Sequence, residues 1–190
     1  VLTPALMGLD RARDLPEAKV AGLRGNVDTR IRKLQDGEFD AIVLAEASLE
    51  RLQIDVPYLR LNPADYIPCA AQGALAIEIP AHSLWRETLA KLDCAQTRLA
   101  VETERAVLAA LGGDCTMPCG VWLSPPQERG ANDWDAHAIV LNDKGEAAQT
   151  RHTCQLAGRS SEVVGEIMGQ LIDNGVDPIL SSLGIKRPAL

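Results

Sequence analysis

The residues Gly112-Gly113-Asp114-Cys115-Thr116-Met117-Pro118-Cys119-Gly120 place two cysteines among three glycines and a proline. That composition describes a shaped loop that presents a side chain. Cys115 is therefore a candidate for a nucleophilic or covalently loaded thiol. Cys115 with Cys119 is also a candidate metal clip, but the second ligand pair that a tetrahedral site needs is missing. A small buried apolar residue is the third option. Asp114 is adjacent, and a helix C-terminus precedes the loop; both disfavour a thiolate, so the pattern does not describe a strongly activated cysteine. A second group is Arg24, Arg30, Arg32 and Lys33 in the stretch LRGNVDTRIRK. One arginine precedes a helix start and another follows one turn in, with Gly25 allowing close backbone approach. Open N–H groups and fork-shaped guanidiniums suit carboxylate or phosphate. An ordinary solvated helix face has the same spacing. The third segment, IPCAAQGA at 67–74, could offer the Gln72 amide to a ligand or serve as a tight hinge. His82, His137 and His152 fall at no metal spacing and in no Ser/His/Asp order. Glu102 and Glu104 are two apart and cannot face each other on a helix. Arg105 reads as structural.

The elements that must position these groups follow from periodicity. Asn26 caps a helix to Gln35 with Val27, Ile31 and Leu34 on one face. Asp36-Gly37 turns the chain into an apolar run, FDAIVLA at 39–45, that reads as a buried strand. Leu49 and Leu52 mark a short helix. ALAIEI at 74–79 reads as a second strand, and Ser83 to Leu92 as a helix. Asp93 with Gln96 resembles a capping box opening a helix to about Leu111, with Leu99, Thr103, Ala106 and Ala110 on its inner face. Gly112-Gly113 stops it. Strands follow at about 121–123, 135–141 and 147–156, the last two joined by the hairpin signal Asn142-Asp143-Lys144-Gly145. Ser160 or Ser161 opens a helix ended by Asn174-Gly175, and a short helix near 178–183 closes the chain. The grammar thus changes from α/β to βββα near residues 94–96.

Composition bounds the function. The chain has 190 residues, 46% hydrophobic and 24% charged, which is globular rather than disordered. No stretch reaches the roughly 18–20 uncharged apolar residues of a membrane span. The net charge of −7 argues against nucleic acid as a partner. Five scattered cysteines do not form a secreted disulfide framework. With no signal peptide in the first residues, a cytoplasmic location is expected.

In this order, LRGNVDTRIRKLQDGEFDAIVLA at 23–45, IPCAAQGALAIE at 67–78, TERAVLAALGGDCTMPCG at 103–120 and the βββα tail resemble the porphobilinogen deaminase (hydroxymethylbilane synthase) family. The resemblance runs from about Leu23 to Leu183. It implies tetrapyrrole (porphyrin, heme) biosynthesis by a transferase that joins four porphobilinogen units and releases ammonia at each. It also implies a dipyrromethane cofactor attached by a thioether to Cys115. An electrophilic pyrrole species attacks that sulfur, so an ordinary thiol suffices. Arg24, Arg30 and Arg51 match arginines that hold the acetate and propionate groups of the pyrroles, and guanidinium forks suit those carboxylates. No metal ligand is implied.

The implied fold is a partial periplasmic-binding-protein-like α/β domain followed by a small α+β (βββα) domain. The division is 1–67 as part of the second family domain, 68–94 as a crossing segment, and 95–190 as the C-terminal domain with the cofactor cysteine. The family's first domain, with its catalytic aspartate, has no match, so no catalytic residue is assigned. The expectation is a C-terminal portion, inactive and unloaded by itself, with possible self-association through exposed edges. The alternative is a non-catalytic, carboxylate-binding relic, motivated by Met7 and Gly8 where the family has two adjacent arginines.

Overall fold

A computed structural model describes residues 19, 21–114, 116–126 and 132–188. Met7, Gly8 and Cys115 lie outside the described residues. Among those described, the chain forms six helices and one three-stranded antiparallel sheet. The helices are α1 (Val27–Gln35), α2 (Glu46–Leu52), α3 (Arg86–Ala90), α4 (Ala95–Ala110), α5 (Ser160–Asp173) and α6 (Val176–Ser182). The strands are β1 (Cys119–Ser124), β2 (Asp133–Leu141) and β3 (Ala147–Gln155), in that spatial order.

The β2–β3 hairpin closes where the sequence signals it. The Asn142 side chain accepts from the backbone N–H groups of Lys144 and Glu146 at 3.1 and 3.0 Å. Gly145 takes φ +79°, a conformation that favours glycine. Alternation along the strands then sorts side chains between two faces. Val121 and Leu123 of β1 and Ala136, Ala138 and Val140 of β2 pack into the main core with Val107 of α4, Leu111 just after it, and Ile167 and Leu171 of α5. The opposite face carries Trp122, Ile139 and Leu141, which gather around Ile67 in a smaller cluster.

That second face is covered by residues 64–68, here called the strap. The Val121 N–H donates to the Pro68 carbonyl at 2.9 Å. A Cβ on Gly120 would overlap the Ile67 carbonyl oxygen, so only glycine lets the two backbones approach this closely.

Several expectations need correction. The runs 39–45 and 74–79 form no strand among the described residues. Strands need a hydrogen-bonded neighbour, and these apolar runs have none among the described residues. Leu75 at 97% and Ile77 at 58% exposure leave the second run open to water. The helix expected over 83–92 shrinks to α3, which buries no residue and so lacks the packing that sustains helices. The capping box is not formed. Asp93 instead takes two hydrogen bonds from Arg98, at 3.1 and 2.6 Å, and Cys94 sits at the N-cap. On the inner face of α4, Thr103 is buried and Leu99 and Ala110 pack on the core as expected, but Ala106 is exposed, and Glu104 and Val107 are buried instead.

Candidate functional site

The start of α1 is built as its sequence implies. Asn26 caps the helix, accepting from the Thr29 N–H at 3.1 Å and the Thr29 hydroxyl at 2.6 Å. Gly25 takes φ +121°, and a Cβ there would come within 2.8 Å of the Thr29 methyl group. The Arg30 Nε donates to the Gly25 carbonyl at 2.8 Å, which fixes the guanidinium against the turn before the helix. Arg24 is exposed beside this turn, and Arg51 is exposed in the last turn of α2. Neither has an ion-pair partner among the described residues. Their charge is therefore available to an anion. No hydrogen bond or ion pair among the described residues joins Arg51 to the α1 start, or any of these three arginines to the 112–119 loop.

Cys115 lies outside the described residues; the residues on either side of it are held together. The Asp114 carboxylate accepts from the Thr116 N–H at 2.8 Å and the Thr116 hydroxyl at 2.6 Å. These bonds hold its pKa below the ordinary aspartate value. The Met117 N–H donates to the Asp114 carbonyl at 3.1 Å. Gly112 has φ +75°, with the Lys186 carbonyl 2.8 Å from where a Cβ would stand. Cys119, the other cysteine of the loop, is buried at the start of β1, and burial pushes its thiol up to about 12. A thiol so far from ionisation is a poor metal ligand. Among the described residues no group of three or more metal-binding side chains occurs.

Gln72 is exposed on a turn with Ala71 at φ +63° and Gly73 at φ +83°. This turn, the first half of α4 and the end of β1 enclose a groove of about 320 Å³. Its walls include Gln72, Gln96, Thr97, Trp122 and Trp134.

The residue that sequence reasoning missed is Glu104. It is only 6% exposed, and its carboxylate accepts from the Ala71 N–H at 2.8 Å and the Leu123 N–H at 2.9 Å. It thereby ties the Gln72 turn and the end of β1 to α4. Burial raises its pKa, with the two N–H donors opposing. The only sequence signal was a carboxylate beside Thr103, next to the apolar positions of the helix.

Comparison with known proteins bears on the same segments. A family model described as "Porphobilinogen deaminase, dipyromethane cofactor binding domain" matches residues 8–85. A porphobilinogen deaminase of Nitratidesulfovibrio vulgaris (strain DP4) is 39% identical over 171 residues, which is 88% of this chain and 53% of that protein. The chain is similar to porphobilinogen deaminases along most of its length. Another porphobilinogen deaminase, from Chromobacterium violaceum, is 35% identical over 91% of this chain and 55% of its own length. A probable porphobilinogen deaminase of Methanocella arvoryzae is 36% identical over 78% of the chain and 55% of its own length. The chain thus spans about half the length of the curated relatives it matches. Among the described residues no helix is long and apolar enough to cross a membrane.

Proposed function

We propose that this chain serves tetrapyrrole biosynthesis as the arginine- and cysteine-bearing portion of a hydroxymethylbilane synthase, acting on porphobilinogen with a dipyrromethane cofactor on Cys115. The observation that carries this reading is the similarity to porphobilinogen deaminases across 88% of the chain. The donor set fits the group. Arg24 and Arg51 have open guanidiniums, Arg30 is braced by Gly25, and a dipyrromethane carries carboxylates that such forks bind in two-point fashion. When bound, it would supply the growing pyrrole chain with its anchored end. The protein's own part is to hold the carboxylates through Arg24, Arg30 and Arg51 and to present the Cys115 sulfur from the braced 112–119 turn. Gln72 stands at the groove beside α4, where an amide can orient a polar group.

The same reading divides the chain at 1–67, 68–94 and 95–190. It assigns the first part to a periplasmic-binding-protein-like α/β domain. It goes with a cytoplasmic location. Turnover requires the family's catalytic aspartate, because the leaving amine needs a placed proton donor. The 190-residue chain incubated with porphobilinogen is therefore expected to show its bare mass and no turnover. In the presence of a polypeptide supplying the remainder of a relative, intact-mass analysis should show a pyrrole adduct that the Cys115→Ala variant lacks. An adduct that persists in that variant would refute the assignment of Cys115.

Self-association is the second expectation. Leu75, Leu84, Trp85 and Leu92 are 97%, 98%, 67% and 68% exposed within one stretch of chain. Large apolar side chains left this open to water favour association. Sedimentation of the purified chain should show concentration-dependent oligomers; a clean monomer at high concentration would count against it.

A further inference from the structure

The outer face of the sheet holds a polar cluster that the reading above leaves unused. His137 is 4% exposed in the middle of β2, and its register partners are Trp122 on β1 and Arg151 on β3. The Arg151 Nε donates to His137 Nδ1 at 3.0 Å. The same guanidinium donates through its other arm to the Ala64 carbonyl at 2.5 Å and lies 4.0 Å from the Asp65 carboxylate. The Trp122 and His137 rings lie 5.1 Å apart. One neutral imidazole therefore orients the arginine that grips the start of the strap.

We propose that the His137–Arg151 pair is a proton-operated latch, holding the strap on the outer face of the sheet and loosening it when the imidazole becomes charged. The bond from Arg151 requires a lone pair on Nδ1, which exists only in the neutral ring. An imidazolium would present an N–H to the Arg151 N–H and a like charge to the guanidinium. Arg151 would then turn away from Ala64 as well.

The surrounding charges act in both directions. Asp135 on β2 and Asp65 on the strap favour the charged ring, whereas Arg151 and His152 on β3 oppose it. Burial is the largest influence, and the net effect lowers the pKa from the ordinary histidine value. A depressed value means that the docked state has this stability above about pH 6.5 and loses it as the pH falls through the folded value. The backbone bond from Val121 to Pro68 and the Glu104 bond to Ala71 remain, so the loss is local to the strap. The latch belongs to the fold and does not depend on the cofactor reading.

Hydrogen exchange of the full chain, corrected for intrinsic rates, tests this at about pH 7.5 and about pH 5.5. Peptides over 62–70 are expected to lose roughly tenfold protection at the lower pH, while those over α5 keep theirs. His137→Asn keeps an acceptor near the Nδ1 position without a titrating ring, so its strap should be equally protected at both. Should that variant fail to fold, nitrogen NMR of the wild-type imidazole decides: the ring and the backbone amides of 64–67 must titrate with one midpoint. Strap protection indifferent to pH, the same drop in His137→Asn, or separate midpoints would overturn the proposal.

Discussion

Replacing Glu104 with alanine is expected to destabilise the chain by about 2–4 kcal/mol, because two backbone donors lose their acceptor at once. The Ala71 and Leu123 N–H groups both point at this carboxylate, and each left unmet in a buried site costs about 1–3 kcal/mol. Glu104→Gln keeps the volume and one acceptor but turns an NH₂ toward a second donor, so its cost should be smaller than that of alanine. The pH dependence has a definite sign. The folded carboxyl keeps its proton above the ordinary value of 4.5, so its contribution is complete below that value. It declines as the pH rises through the folded value. The deficit of Glu104→Gln relative to wild type should therefore narrow as the pH is raised through the weakly acidic range. Denaturant midpoints across that range provide the measurement. An alanine variant as stable as wild type would mean that Glu104 does not tether the turn.

Gly120→Ala is expected to cost about 2–3 kcal/mol, a typical overpacking penalty. A glycine-to-alanine change at a compatible position stabilises by about 0.4–1 kcal/mol through the unfolded state. At Gly120 the sign reverses, because the new methyl would meet the Ile67 carbonyl oxygen, with the Ile67 carbonyl carbon and Cγ2 both at 3.0 Å. These are backbone and branched-chain atoms already held by the Val121–Pro68 hydrogen bond and the packing of Ile67 on Ile139 and Leu141. Relief requires the strap to lift. Thermal unfolding should show the loss, and exchange protection should fall first over 62–70. An unchanged melting temperature would show that the strap is not seated against Gly120.

Local signals carried much of this fold. Asn142 to Gly145 announces its hairpin, Asn26 its cap, and the apolar spacing of Val163, Ile167 and Leu171 the buried side of α5, since each depends on residues a few positions apart. Long-range partners were not legible. His137 and Arg151 are meaningful only through the β2–β3 register, and Glu104 only through donors at residues 71 and 123. The runs at 39–45 and 74–79 mislead for the complementary reason: their composition specifies a strand, but a strand also needs a neighbour. The site divides in the same way. The Gly25–Arg30 contact was legible because one helix start organises it, whereas the binding roles of Arg24, Arg30 and Arg51 rest on family resemblance alone.

The three tryptophans stand in unlike surroundings: Trp134 inside the main core, Trp122 beside the imidazole under the strap, and Trp85 two-thirds open to solvent. Their emission is accordingly a natural optical probe with separable parts. Water-borne quenchers reach Trp85 before the other two, a charged imidazole would dim Trp122, and Trp134 changes only when the core itself comes apart.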